Sequence, residues 1–208
     1  MILLIDKPAG ITSYDVIRKL KHKYPGQKIG HAGTLDPNAT GLLIIGVGSD
    51  TKKLTQFLKL DKEYEATILL GQKTDTGDID GKVILEKGVP SLDKAEIIKQ
   101  LKNLEGNNEY ELPVYSAIKQ NGEPLYKKAR RGDVVIAPKR IMQVHSAELK
   151  DYTVPILKVV FKVGSGTYIR SLAEVLGEMF GTVATLKELR RTKIGEYELG
   201  KGMEVLGD

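Results

Sequence analysis

The chain contains no cysteine. That excludes disulfides, thiolate nucleophiles and thiolate-bound zinc. Histidine is nearly as scarce: three residues, His22, His31 and His145, scattered too widely to suggest a metal site. No apolar run approaches the roughly 20 residues that span a bilayer. The opening Met1-Ile2-Leu3-Leu4-Ile5 is too short for a signal peptide, and Asp6 interrupts it. A cytoplasmic location is therefore expected. Internal repeats, low-complexity linkers, a glycine-rich phosphate loop and a Ser-His-Asp arrangement are all missing. What remains is 208 residues, 41% hydrophobic and 28% charged. That composition suits a globular protein with a real core, as one domain or one domain with a small appendage.

The formal net charge is +5, too moderate to identify a nucleic-acid binder. Its distribution says more. Basic residues cluster in Arg18-Lys19-Leu20-Lys21-His22-Lys23, in Lys127-Lys128-Ala129-Arg130-Arg131 and in Lys187-Glu188-Leu189-Arg190-Arg191-Thr192-Lys193. Taken singly, each reads as a solvated helix face. Gathered in space, they would make a phosphate-binding surface.

Met1 to Ile5 reads as a strand, and Ser13 as the N-cap of a helix over Tyr14 to Lys23 with Val16, Ile17 and Leu20 on one face. Leu42 to Val47 is apolar without alternation, as a buried strand would be. Asp50 is expected to cap a helix carrying Leu54, Phe57 and Leu58. From Glu63 to Leu70 the pattern alternates, putting Tyr64, Ala66, Ile68 and Leu70 on one side. Ser91 should cap a helix with Ile97, Ile98 and Leu101, ended by Gly106. Arg140 to Lys150 and Ile156 to Val163 read as paired strands. Gly164-Ser165-Gly166 then leads into a helix lined by Ile169, Leu172 and Leu176. Strands and helices mix without strict βαβ alternation, which predicts an α+β fold with a largely antiparallel sheet. Residues 120–139 stand apart as an excursion, with a short basic helix over Pro124 to Arg131 between Gly122 and Gly132.

The most informative stretch is Gly30-His31-Ala32-Gly33-Thr34-Leu35-Asp36-Pro37-Asn38-Ala39-Thr40-Gly41-Leu42-Leu43. It sets one carboxylate, Asp36, in a tight loop against a buried strand. Such a loop can fix the direction of a carboxylate and partly shield it from water, as catalysis requires. An isolated Asp-Pro in a Gly-rich loop is more often a turn. The longer string, however, closely resembles the signature of the TruB family of tRNA pseudouridine synthases. The resemblance extends in order through Lys7-Pro8-Ala9-Gly10, Lys62-Glu63-Tyr64, Gly71-Gln72-Lys73-Thr74-Asp75-Thr76-Gly77-Asp78, Pro113-Val114-Tyr115-Ser116-Ala117, Gly166-Thr167-Tyr168-Ile169-Arg170-Ser171-Leu172 and Leu189-Arg190-Arg191-Thr192. These blocks span nearly the whole chain.

The resemblance implies a pseudouridine-synthase fold, a mixed, largely antiparallel sheet flanked by helices and RNA-binding loops. It implies isomerisation of uridine 55 in the T arm of tRNA, with Asp36 as the catalytic carboxylate. Attack on C1′, proton abstraction toward a glycal, and addition to C6 of the base all remain open. Each needs an ionised, oriented Asp near sugar and base. By the same resemblance Arg170 is the charge partner of Asp36, and Tyr64 stacks on the flipped uracil, its hydroxyl able to handle the C5 proton. Tyr168 and Leu189 line the pocket, and His31 helps hold or replace the flipped base. On residues alone, Tyr64 would be a core tyrosine and Arg170 a surface arginine.

Residues 120–139 are implied to be a mobile loop that grips the RNA stem-loop, hinged at Gly122 and Gly132. Lys127, Lys128, Arg130, Arg131, Arg190 and Arg191 are its expected RNA contacts and those of the C-terminal block. Asp75, Asp78 and Asp80 partly mimic a calcium loop, but the twelfth position is Lys87 where a Glu is needed. They are expected instead to make turns or to order basic residues. No metal and no cofactor is expected. The partner is the tRNA T stem-loop, and the chain is expected to be a monomer and a single catalytic domain over 1–208, with no PUA-type module after it. The competing readings are a tRNA-binding folding factor with secondary or lost catalysis, and a guide-RNA-dependent pseudouridine synthase.

Overall fold

The apolar stretch Leu42 to Val47 lies in a strand that is buried on both faces, as a run without alternation requires. A computed structural model of the chain describes residues 1–116, 118–120, 122–200 and 203. Its elements begin with β1 (Ile2–Lys7), α1 (Ser13–Lys23), β2 (Ile29–Ala32), β3 (Thr40–Val47), a 3-10 helix over Gly48–Lys53, α2 (Leu54–Leu58) and β4 (Lys62–Leu70). β5 (Gln72–Thr74), β6 (Val83–Glu86), α3 (Lys94–Asn103), β7 (Gly106–Glu111), β8 (Lys119–Gln120), β9 (Glu123–Pro124) and α4 (Leu125–Arg131) come next. β10 (Lys139–Thr153), β11 (Ile156–Val163), α5 (Ile169–Met179), β12 (Ala184–Ile194) and β13 (Tyr197–Glu198) follow.

The main strands hydrogen-bond in the order β1-β3-β12-β4-β11-β10-β7, with β2 on β3 and β13 on β12. β5–β6 and β8–β9 form two small sheets of their own. β3 runs antiparallel to β1 and β2 but parallel to β12. The fold is thus the α+β class with a mixed, mostly antiparallel sheet that the sequence predicts. Contacts divide the chain into two compact units: Met1–Glu65 with Phe161–Ser165 and the chain from Glu188, and Ala66–Val160 with Gly166–Lys187.

In the first unit, Leu43, Ile45 and Val47 of β3 pack with Leu3 and Ile5 of β1 under Val16, Ile17 and Leu20 of α1. Leu42 and Ile44 point the other way, toward Leu54 and Phe57 of α2, with Ile194 of β12 in the same cluster. The α1 boundary differs from expectation. Thr12 is the N-cap and forms a reciprocal capping box with Asp15. Ser13 is the first helical residue, and its hydroxyl serves a different purpose, described below. Asp50 likewise caps no helix. Its carboxylate takes the N-terminal amine at 2.7 Å and Lys53 at 2.9 Å.

In the second unit, the alternating pattern of β4 buries Ala66, Ile68 and Leu70 on one face. Ile97 and Leu101 bury one face of α3, which packs against β10 and α5. Its cap is Asp93 rather than Ser91, through a bond to the Glu96 amide, and Ile98 is exposed. Ile169, Leu172 and Leu176 form the buried side of α5. The candidate site residues occur in both units.

Candidate active site

Asp36 follows β2 in the first unit, in the irregular segment that leads into β3. Its neighbours are pinned by main-chain bonds. The Ser13 hydroxyl accepts from the Leu35 amide at 2.9 Å and donates to the Leu35 carbonyl at 3.2 Å. On the other side, the Pro37 carbonyl accepts from the Lys7 ammonium at 2.9 Å and from the Gly10 amide at 3.0 Å. The Asp36 carbonyl closes a turn with the Ala39 amide at 3.1 Å. A residue clamped on both sides has its backbone, and with it the direction of its Cα–Cβ bond, held in place, which is part of the preorganisation a reacting carboxylate needs.

The strands beneath explain how the clamp is charged. Asp6 pairs with Leu42 and Lys7 with Gly41 across β1 and β3, while Arg190 pairs with Thr40 and Arg191 with Gly41 across β3 and β12. Side chains alternate, so Lys7 and Arg191 share the α1 side, and Asp6 and Arg190 the other. Lys7 is 0% exposed and Arg191 1%. Lys7 also donates to the Pro8 and Ile11 carbonyls, at 2.8 and 2.7 Å. Arg191 donates to Leu42 and Gly33, at 2.8 and 3.0 Å. The two cations therefore tie down both ends of the Asp36 loop through carbonyls. Burial pulls the Lys7 pKa down to about 8; Asp36 and Asp15 oppose the shift, and Arg191 adds to it. Gly41 is obligatory here. Its φ is +102°, and a Cβ would sit 2.3 Å from the Arg191 carbonyl oxygen.

His31 lies on β2 opposite Ile45, with Nδ1 buried and unpartnered. Burial and then the Arg191 charge push its pKa below the usual histidine range. Both effects disfavour the protonated ring. Tyr64 is buried on β4, and Leu189 is half-buried on β12. Neighbouring Lys62 is buried too, capping the end of α2 by donating to Leu58 and Leu60 carbonyls at 2.7 and 2.5 Å.

In the second unit, Arg170 is buried in the first turn of α5. Its guanidinium donates to the Thr76 carbonyl at 3.0 Å and the Tyr115 carbonyl at 3.2 Å, and lies 3.5 Å from the Asp78 carboxylate. That carboxylate is itself oriented by the Thr76 hydroxyl at 2.6 Å and the Asp80 amide at 3.2 Å. The turn sits tightly on α5, since a Cβ on Gly77 would lie 2.9 Å from Glu174 Oε1. Thr74 anchors it further, donating to the Asp78 carbonyl and sharing a hydrogen bond with Thr185. The acidic run thus makes turns and orders a basic residue, as the sequence suggests. Tyr168 immediately precedes α5, its amide held by Met142 Sδ at 3.4 Å.

Residues 19–169 fit the family model described as TruB family pseudouridylate synthase (N terminal domain). The chain belongs to the TruB family. A protein of Xanthomonas campestris pv. campestris (strain 8004) named tRNA pseudouridine synthase B is 46% identical over 94% of this chain. The chain spans 64% of that relative's length. Proteins of the same name from Endomicrobium trichonymphae and Opitutus terrae are 43% and 42% identical, and the chain covers 86% and 84% of them. Among solved structures, a Cbf5-Nop10-Gar1 complex aligns with a TM-score of 0.77 and 27% identity, over 99% of this chain and 52% of the other. An H/ACA RNP bound to a substrate RNA containing 2′-deoxyuridine aligns with a TM-score of 0.72 and 26% identity, over 99% and 50%.

The other basic residues of this TruB-family chain divide into two kinds. Arg191, expected at the RNA surface, is a correction: burial and its carbonyl partners make it part of the loop frame. Arg190 is partly exposed on the opposite face of β12. In the 120–139 segment, Leu125 is fully buried and α4 projects Lys127 and Arg130 to the surface. Arg130 lies over the Tyr126 ring, 5.7 Å from its centroid, and Lys128 reaches Gln120 at 3.4 Å. Arg131 is held by Glu123 at 2.9 Å and Asp133 at 2.6 Å. Gly122 and Gly132 both have positive φ: the first lies between the paired strands β8 and β9, and the second caps the C-terminus of α4. Ala117 and Asn121 lie outside the described residues. Sequence reading passed over Lys7, Ser13 and Asp78 as site residues. The first and last fall within family blocks, but only their hydrogen bonds reveal what they do.

Proposed function

We propose that this protein isomerises uridine to pseudouridine in tRNA, at position 55 of the T arm, with Asp36 as the catalytic carboxylate acting on a flipped-out base. The observation that carries the reading is the Asp36 loop. Its residues are clamped on both sides of the carboxylate by a serine hydroxyl and a buried lysine, on a chain of the TruB family. The relatives' name, tRNA pseudouridine synthase B, supports the substrate class. Breaking the N1–C1′ bond, turning the base and rejoining it through C5 moves one proton and releases nothing. The protein has only to hold, orient and accept charge.

In this reading Arg170 is the cation that partners Asp36 in the reaction, and its own direction is set by Thr76, Tyr115 and Asp78. Tyr64 stacks on the uracil and its hydroxyl handles the C5 proton. Tyr168 and Leu189 line the base, and the His31 ring helps hold the flipped base or replace it in the stack. Lys127, Lys128, Arg130 and Arg190 meet phosphates.

Site-resolved pseudouridine mapping on an unmodified tRNA transcript, without metal or cofactor, tests this. Conversion at uridine 55 is expected from the wild type. Asp36→Asn should bind the transcript normally and turn over at least about a thousandfold more slowly. Binding without conversion by the wild type would favour a folding factor instead.

A further inference from the structure

The guanidinium of Arg190 holds the Asp6 carboxylate in a two-pronged pair, Nη1 to Oδ1 at 3.1 Å and Nη2 to Oδ2 at 2.6 Å. The pair bridges β3 at its first residues, where the strand leaves the Asp36 loop. Nη1 is also 3.4 Å from the Thr40 hydroxyl. On the reverse face of the same three strands, Lys7 and Arg191 are buried and engaged with carbonyls. Arg190 and Asp6 are different, 39% and 44% exposed.

We infer that Asp6 occupies the place of an RNA phosphate on Arg190, and that RNA binding exchanges the carboxylate for a backbone phosphate. The inference rests on the proposal that the chain binds RNA. Three features carry it. A guanidinium fork that accepts both oxygens of a carboxylate accepts two phosphate oxygens in the same geometry. An ion pair this exposed is weak and is readily surrendered to a phosphate. And Arg190 has a second hold on Thr40, so it stays in position when Asp6 leaves. Asp6 therefore acts as an internal competitor. It masks the exposed cation at the root of the loop, and any polyanion must displace it before gaining that contact. A weakly held strand of arbitrary sequence gains little from the exchange. A stem-loop already positioned by its flipped uridine gains it at high effective concentration.

Equilibrium binding to an unmodified tRNA transcript, with a scrambled-loop stem-loop alongside, tests the exchange. All proteins carry Asp36→Asn so that nothing turns over. Asp6→Asn is expected to tighten binding about three- to fivefold at 0.1 M salt. It should also steepen the slope of log K against log salt by up to about 0.9, the value of one phosphate contact. The scrambled stem-loop should gain at least as much, so discrimination falls. Arg190→Gln should weaken binding, and adding Asp6→Asn to it should bring no gain. Arg190→Lys keeps the charge without the fork, and should lose most of the Asp6→Asn effect. A gain that persists in the Arg190→Gln background would show a general relief of negative charge and overturn the exchange. So would weaker or unchanged binding by Asp6→Asn, which would make the pair a brace. Failure of every protein to bind the transcript would instead bring down the RNA reading itself.

Discussion

Lysine and arginine do two different jobs in two regions of this molecule. At the root of the Asp36 loop, Lys7 and Arg191 are buried and their nitrogens donate to carbonyls of the main chain. In the α4 region, Arg130 and Arg131 are exposed, against an aromatic ring or side-chain carboxylates. A cation that serves carbonyls cannot leave without stranding buried acceptors, so it fixes a backbone shape. A cation that serves exposed carboxylates can exchange partners at small cost. Arg190 and Arg191, adjacent in sequence, fall on either side of this division because a strand sends them to opposite faces.

The contrast breaks most visibly in stability. Arg191→Met removes two charge-assisted bonds to carbonyls and leaves Gly33 and Leu42 unsatisfied. It should cost about 3 kcal/mol, at roughly 1.5 each, and lower Tm by about 6–12 °C. Arg190→Met should stay within about 1 kcal/mol of wild type. Thermal unfolding of the two proteins decides it, and similar losses would erase the distinction.

Arg170 extends the first class to the second unit, since it too is buried with carbonyl partners. Arg170→Lys keeps the charge but cannot reach Thr76, Tyr115 and Asp78 with one planar fork. Under the proposed function, kcat should fall about a hundredfold with little change in KM. Asp78→Asn, which removes only the orienting carboxylate, should fall less. An equal loss for both would make Asp78 more than a support for Arg170.

How much of this was legible beforehand depends on how apolar the pattern was. The alternation of Tyr64, Ala66, Ile68 and Leu70 and the solid run Leu42–Val47 announced β4 and β3. β12 was hidden. Its sequence, Ala-Thr-Leu-Lys-Glu-Leu-Arg-Arg-Thr-Lys-Ile, reads as a basic cluster because one of its buried positions is an arginine. No hydropathy pattern marks a cation whose solvation is replaced by carbonyls from distant strands. Ser13 departs from its expected capping role through a contact far off in sequence. Thr12 completes a local capping box with Asp15, three residues on, while the Ser13 hydroxyl is taken by Leu35, 22 residues away. The candidate carboxylate Asp36 stands out in its motif, whereas the frame that holds its loop depends on contacts far apart in sequence.

Titration separates stability from activity at the loop root. The folded-state pKa values of Lys7 and Lys62, each about 8, lie below the 10.5 of an unfolded lysine. Between about pH 8 and 10.5 the unfolded chain therefore binds more protons, and these two groups make the fold more stable as pH rises. The same deprotonation strips the loop of the charge beside Asp36. Turnover should thus fall above about pH 8 while the contribution of Lys7 to stability improves. In Lys7→Met both dependences on this group should be gone, at a lower rate throughout. An alkaline fall that survives in Lys7→Met would assign it to another group.

The smallest effect expected lies within α4. Arg131 is shared between Glu123 and Asp133, so its charge is already met, while Arg130 carries no carboxylate among its described contacts and presents its guanidinium over Tyr126. Arg130→Ala should weaken tRNA binding severalfold and lower the salt slope by about 0.9. Arg131→Ala frees two carboxylates near the same surface and removes a cation they had neutralised. Its effect on the slope should be below half that of Arg130→Ala. What loss of affinity remains should come from repulsion, and it should shrink as salt rises. Equal slopes for the two variants would mean that Arg131, too, gives up its carboxylates to a phosphate, and that exchange of the kind inferred for Arg190 operates in both regions.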